Sequence, residues 1–558
     1  MPEYLDRGLW PETVRQLQQR PLVILEGARG TGKTSFGQEL VRAGVMAEFR
    51  SFTDPGQLDA VKAAPFDYVA NLPHGTVIDE AQLHEPVTLA IKSLIDQDRT
   101  PGRFLLTGST RMKRNALGGS DPFAGRVGEP LRLDPLTIGE RHGLPTTVID
   151  ALFDDPAGLV VGPPLGRSDL ADLIGQSGLP ALATMSDRAV AVDLARGYIP
   201  LVMSAQAFEN RKVQKLNSLA RYIAGRTATL VNVSDFARKA ELSRNTVHEY
   251  LTLLQEALLV HLLPAWRSSK DKSETDTPKV HFFDTGVVVA TARLRPAREP
   301  EALGPLTETL IVTELRAQAQ WSPRVIDCYH WRLGNRYEVD LVLEDAQSGD
   351  LVAIEVKTNE AVESSDFNGI RALRSTTPNR SVTGIVLHPG RTILPHGNDL
   401  WALPIATLWA DAPSRPQQPR PQAEPGPLAQ RLHREYSGAR LSAALDELES
   451  QLSTIAAAAP ALDHTLQAVT VRAVAGQHEI QLEVNRLGTE GDRGHRLAVL
   501  TARLIPHDSE IVFESRVVDS QGNERTTSTF TIGPGPLPNQ VAAGLNPAID
   551  ALAKAVAK

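Results

Sequence analysis

Three groups of residues in this chain have the types and spacing to do chemistry. The first is Gly27-Ala28-Arg29-Gly30-Thr31-Gly32-Lys33-Thr34, followed by Ser35 and preceded by the apolar run Leu22–Leu25. Glycines at these intervals let successive backbone N–H groups turn toward phosphate oxygens, Lys33 reaches the outer phosphates, and the Thr34 hydroxyl can hold Mg²⁺. A nucleoside triphosphate, ATP first, is the ligand such a loop implies.

The second group is Asp79-Glu80, which closes the apolar stretch Thr76-Val77-Ile78. Two carboxylates at a strand end suit an ATPase, with Asp79 anchoring Mg²⁺ and Glu80 polarising water. Taken alone, Asp79 reads equally well as a helix N-cap. Thr107 and Ser109, at the carboxyl end of Phe104-Leu105-Leu106, are placed to sense a γ-phosphate or simply to satisfy a turn. Arg126 either stabilises a transferring phosphoryl, in its own or a neighbouring subunit, or is an ordinary surface arginine.

The third group runs Glu308, Asp340, then Glu355-Val356-Lys357. Alternation along a strand puts Glu355 and Lys357 on one face, where they can converge with Asp340. In a phosphodiesterase, Asp340, Glu355 and Glu308 would hold Mg²⁺ while Lys357 orients or deprotonates water. The bland alternative is a solvated Glu-x-Lys pair on an inactive domain. Glu314 competes with Glu308 for the helical place; Glu308, one turn after Gly304, is preferred.

These groups need elements to hold them. Leu22–Leu25, Thr76–Ile78, Phe104–Thr107 and Leu131–Leu133 read as strands of a buried parallel sheet. Residues 150–230 read as helical, and Ser234 opens a helix-turn-helix cadence whose second helix starts near Ser243 and displays Arg244, Asn245 and His248. Within 209–270, ten Lys/Arg stand against five acids, a local surplus in a chain of net charge −8. Such residues suit DNA, although a module of this kind also serves as packing between domains. Tyr329–Leu333, Tyr337–Leu343, Leu351–Val356 and Val382–Leu387 then read as strands of a second α/β domain.

With 558 residues, three or four domains are expected. The single cysteine, Cys328, excludes a disulfide framework. No apolar run suits a signal peptide or a membrane span, so a cytoplasmic protein without membrane contact is expected. Between Asp411 and Pro427 the chain is too rich in proline to pack. Beyond it, a helix around Ala439–Ala458, about five strands between Leu466 and Ile532 and a helix from Gln540 are expected, with no visible site.

The loop at 27–34, Ile78-Asp79-Glu80-Ala81-Gln82, Leu105-Leu106-Thr107-Gly108-Ser109 and Ala124-Gly125-Arg126-Val127, followed by Pro135-Leu136-Thr137, together resemble bacterial and archaeal AAA-type ATPases that continue into a winged helix and a domain resembling restriction endonucleases. The resemblance spans about residues 4–410 and thins to Gly178-Leu179-Pro180 between 141 and 230. It implies an α/β chain: an AAA-type P-loop ATPase with a helical extension over 1–200, a winged helix-turn-helix over 201–275, and a restriction-endonuclease-like domain over 276–410. A Pro-rich linker (411–429) and an α+β domain (430–558) follow. ATP and Mg²⁺ are the implied cofactors. DNA, a second copy of the chain, and a protein bound through 430–558 are the partners to consider. Three readings stay open: ATP turnover licensing DNA cleavage, an ATP-dependent switch that binds DNA or a protein and whose third domain recognises without cutting, or a scaffold in which ATP stabilises the fold.

Overall fold

The computed structural model describes residues 4–110, 123, 127–143, 147–163, 165–204, 210–267 and 276–410, and the backbone of five strands between 466 and 532. Arg126, the linker, and the helices expected at 439–458 and from Gln540 lie outside the described residues. The chain divides into two units, one formed by residues 1–41 with 46–418 and the other containing 419–558.

In the first unit, β1 (Leu22–Glu26), β2 (Glu48–Ser51), β3 (Thr76–Asp79), β4 (Phe104–Gly108) and β5 (Leu131–Arg132) form one parallel sheet in the order β2-β3-β4-β1-β5. β1, β3 and β4 are buried along their whole length. Strands covered on both faces lose the polar alternation of half-exposed ones, hence their continuous apolar runs. The strand β2 escaped the sequence reading because Glu-Phe-Arg-Ser carries two charges and remains half-buried at the sheet edge. The helix Val87–Gln97 closes one face with Val87, Ala90, Ile91 and Ile95, against Ile24, Ile78 and Leu106.

The amino-terminal segment crosses back over this domain. Arg7, 6% exposed, donates to Glu140 (3.0 Å), to the Thr31 carbonyl (2.8 Å) and to the Asp134 carbonyl (2.7 Å). Gly8 lies so close to the indole of Trp321 that a Cβ there would come within 2.5 Å of it.

A helical stretch follows, dominated by Arg188–Ser204 and Asn210–Ala224. Then come β6 (Thr229–Leu230), helices Val233–Ala240 and Arg244–Glu256, β7 (Val260–Leu263) and β8 (Lys279–Phe282), with the three strands antiparallel in the order β6-β8-β7. The helix pair is where it was expected, but its first cap is Asn232, whose side chain accepts from Asp235 N, rather than Ser234. Ser243 caps the second, accepting from Thr246 N at 3.1 Å, and the turn is made by Glu241 at φ 53.

The helix Pro300–Ala319 leads into β9 (Ile326–Leu333), β10 (Tyr337–Asp345), β11 (Leu351–Val356), β12 (Val382–His388), β13 (Leu394–Pro395) and β14 (Leu400–Pro404). Their order is β13-β14-β12-β11-β10-β9. β9, β10 and β11 form an antiparallel meander, and the helix Asn368–Thr376 carries the chain to β12, which pairs parallel with β11. One apolar cluster runs from Ala28 and Ile138 through Ile199, Leu251, Val280 and Leu310 to Ile354 and Leu403, so the modules of this unit share a core.

In the second unit, β15 (Leu466–Val474), β16 (Glu479–Arg486), β17 (Arg496–His507), β18 (Glu510–Asp519) and β19 (Glu524–Ile532) form an antiparallel meander. That matches the five strands expected there. No helix among the described residues is long and apolar enough to cross a membrane.

Candidate functional site

The glycine loop leaves the carboxyl end of β1 and feeds directly into the helix Lys33–Arg42. Gly30 and Gly32 adopt φ of 82 and 95, which side-chain-bearing residues enter only at a cost. Gly27 is fixed by space instead: a Cβ there would sit 2.5 Å from the Leu133 carbonyl oxygen. Ala28 and Thr31 are buried, with Thr31 Oγ1 donating to the Ala28 carbonyl (3.0 Å), while Arg29, Gly30, Thr34 and Ser35 form the accessible rim. Free N–H groups at a helix start, backed by the helix dipole, make an anion cradle.

Lys33 is 3% exposed, and its ammonium donates to the carbonyls of Gly27 (2.8 Å) and Ala28 (3.0 Å). Burial brings its pKa down to about 8, with Glu80 and Asp79 opposing the fall. A desolvated ammonium satisfied by neutral carbonyls gains from an incoming phosphate.

Asp79, 1% exposed, sits at the end of β3 in a ring of hydroxyls: Thr34 Oγ1 (3.1 Å), Ser51 Oγ (3.1 Å) and Thr107 Oγ1 (2.5 Å) all donate to it. A carboxylate and a hydroxyl on adjoining elements, with the loop beside them, suit a hard divalent cation. Glu80 takes a left-handed backbone, φ 54, where β3 ends. Its carboxylate accepts from Ser109 Oγ (2.5 Å) and from the Gln82 amide. Thr107 and Ser109, read from the sequence as γ-phosphate sensors or turn hydroxyls, thus donate to the two acids. Ser51, on the unforeseen β2, is a contributor that the sequence reading missed.

The loop is roofed by the helical stretch. Tyr198 Oη donates to the Arg29 carbonyl (2.5 Å), and its ring stacks on Phe283 with centroids 5.4 Å apart. Leu179 and Pro180 lie over Gly30 and Gly32. The buried Asp284 fixes this roof by accepting from Gly178 N (2.6 Å), Ser177 Oγ (3.1 Å) and Val287 N (2.8 Å).

In the third module, Glu308 and Asp340 do converge, but on the ammonium of Lys279. Lys279, 2% exposed, donates to Glu308 Oε1 (2.8 Å) and Asp340 Oδ1 (3.0 Å) and pairs with Glu338 Oε1 (2.6 Å). Burial works against the ammonium, yet the three carboxylates outweigh it and hold its pKa well above the ordinary lysine value. The other Asp340 oxygen accepts from Val356 N (3.0 Å). Glu355 and Lys357 share a face as expected and pair at 2.9 Å; Lys357 also lies 3.6 Å from Asp366. Burial, aided by Asp340, pushes Glu355 up to about 8. Glu314 faces elsewhere, accepting from Ile138 N (2.9 Å) and Gln318 (3.1 Å). Among the described residues, no group of three or more His, Cys, Asp or Glu is arranged to hold a metal ion. The sequence carried one signal for Lys279: a lysine opening the apolar run Lys279-Val280-His281-Phe282-Phe283.

Arg244, Asn245 and His248 are exposed together on the first turns of the helix Arg244–Glu256, while Val247 and Tyr250 turn inward.

Residues 19–142 match the AAA domain family, 167–298 a domain of unknown function (DUF8612) and 303–408 another (DUF4143). The chain thus carries an AAA-type P-loop domain, a nucleotide-binding class, in agreement with its parallel sheet and glycine loop. Two curated relatives, the uncharacterized proteins Mb2031c of Mycobacterium bovis and Rv2008c of Mycobacterium tuberculosis, are each 26% identical over 399 residues, 70% of this chain and 81% of theirs. A RuvB structure of Thermotoga maritima aligns at 18% identity and TM-score 0.23, over 47% of this chain and 90% of its own, a likeness too slight to bear on the fold.

Proposed function

We propose that this protein binds ATP with Mg²⁺ at residues 27–35, hydrolyses it, and uses the nucleotide state to set the position of the modules that follow. The observation that carries this reading is the strand end where Asp79 accepts from the loop's Thr34 and where Asp79 and Glu80 each have their own hydroxyl donors. Thr34 and Asp79 would hold Mg²⁺, which when bound neutralises phosphate charge. The loop N–H groups and Lys33 orient the phosphates. Glu80, restrained by Ser109 and Gln82, aligns and polarises the attacking water. Tyr198, bonded to the loop backbone and stacked on Phe283, is the contact through which a change at the loop reaches the residue that follows β8.

The element order helix, strand, helix, helix, strand, strand over 210–282 supports a winged helix, and its exposed Arg244, Asn245 and His248 favour DNA as partner. The helix Pro300–Ala319 followed by the sheet of 326–404 supports reading this module as restriction-endonuclease-like. There the second reading, recognition without cutting, is favoured by the Lys279 ammonium between Glu308 and Asp340.

Calorimetry and phosphate release test the proposal together. Lys33→Ala is expected to abolish ATP binding, and Glu80→Gln to bind ATP within a few-fold of wild type while hydrolysing it at least 100-fold more slowly. An unmodified chain that takes up no nucleotide overturns the reading. Absence of any mobility shift of duplex DNA removes the DNA arm, and a salt-sensitive shift that survives Arg244→Ala unchanged removes Arg244 from the contact.

A further inference from the structure

The carboxylates of the third module have the composition of a divalent-cation site, yet a lysine from a different sheet fills it. Lys279 opens β8, which belongs to the three-stranded sheet, whereas Glu338 and Asp340 lie on β10 and Glu308 on the helix Pro300–Ala319. An ammonium has three N–H donors and no acceptor, and here three carboxylates meet it at 2.6–3.0 Å. These are hydrogen-bond lengths, longer than the roughly 2.0–2.1 Å that Mg²⁺ demands of its oxygens. Glu338 is shared with Arg332 (3.3 Å), so the charge on Glu308 and Asp340 is answered chiefly by Lys279. Two further buried atoms in this neighbourhood make no hydrogen bond: Nε2 of the fully buried His281, which lies 3.8 Å from Glu308 Oε1, and the second oxygen of Glu355.

We infer that the ammonium of Lys279 is the resident cation of this site, standing where a divalent metal would bind, and that removing it converts the cluster of Glu308, Asp340 and Glu338 into a metal site. The inference rests on the non-cleaving reading of residues 276–410, but metal binding and strand scission are measured separately, so the two can fail separately. Without the ammonium, carboxylates withdrawn from water have no counter-charge, a strongly destabilising state that a divalent ion relieves. The shortened side chain also leaves room for that ion and its waters. A metal that binds only the folded chain must then raise its melting temperature.

The test is Mn²⁺ binding to the full, nucleotide-free chain, followed by electron paramagnetic resonance, with thermal melting alongside. Lys279→Ala is expected to bind one more Mn²⁺ per chain than wild type and to gain several degrees of melting temperature from it. Lys279→Ala combined with Asp340→Asn is expected to lose both. Wild type and Asp340→Asn alone are expected to bind equal numbers of Mn²⁺. A folded Lys279→Ala with wild-type stoichiometry overturns the inference, and so does an Mn²⁺ that wild type binds and Asp340→Asn loses. If Lys279→Ala does not fold even with Mn²⁺ present, the comparison of wild type with Asp340→Asn alone decides the matter.

Discussion

Lys33 illustrates how one buried charge sets a pH response. Phosphate favours the ammonium, and burial in the free protein brings its pKa to about 8, so binding above that pH must first return a proton to the side chain. ATP affinity is therefore expected to hold steady from pH 6 to 7 and to fall by up to about tenfold per unit above pH 8, as calorimetry at matched ionic strength would show. Ser109 makes a different prediction. Because its hydroxyl serves Glu80, Ser109→Ala should lower kcat at least tenfold while leaving the ATP dissociation constant within about twofold. The loop residues, Asp79 and Glu80 were legible in the sequence because their chemistry depends on local spacing. The roles of Ser51, Tyr198 and Lys279 depend on contacts across 28, 169 and up to 61 positions, which no local pattern encodes.

Among the elements, the helix Pro300–Ala319 does the most connecting. Its Glu308 reaches the lysine of β8, and its Glu314 accepts from the backbone N–H of Ile138, within the residues that match the AAA family. Burial raises Glu314 to about 7, whereas an unfolded glutamate titrates near 4.3. Between these values the folded chain holds a proton that the unfolded chain lacks. This contribution is thus complete at acid pH and lost as pH rises through about 7; Glu355, at about 8, acts in the same sense. The melting temperature should accordingly drop between about pH 4.5 and 8, and Glu314→Gln should make that slope shallower up to about pH 7 in differential scanning calorimetry. Strands with an unbroken apolar or β-branched run, such as β1, β4 and β12, announced themselves. The short or charged ones, β2, β6 and β13, did not, since a two- to four-residue strand at a sheet edge borrows its conformation from its neighbours.

At the scale of the molecule, the shared core of residues 4–410 and the separate sheet of 466–532 make a simple expectation. A chain ended at Gln418 should keep its ATP dissociation constant within about twofold and retain its main melting transition; loss of nucleotide binding would show that the second unit completes the site. The same shared core constrains synthesis. The amino-terminal segment that seats Arg7 against the nucleotide loop is closed over by Trp321, some 300 residues later in the chain. At ribosomal rates of roughly 5–20 residues per second, that opening stretch leaves the exit tunnel and waits on the order of 15–60 s for its final partner. During that interval Gly8 lacks its indole cover, which leaves the segment open to chaperones and proteases.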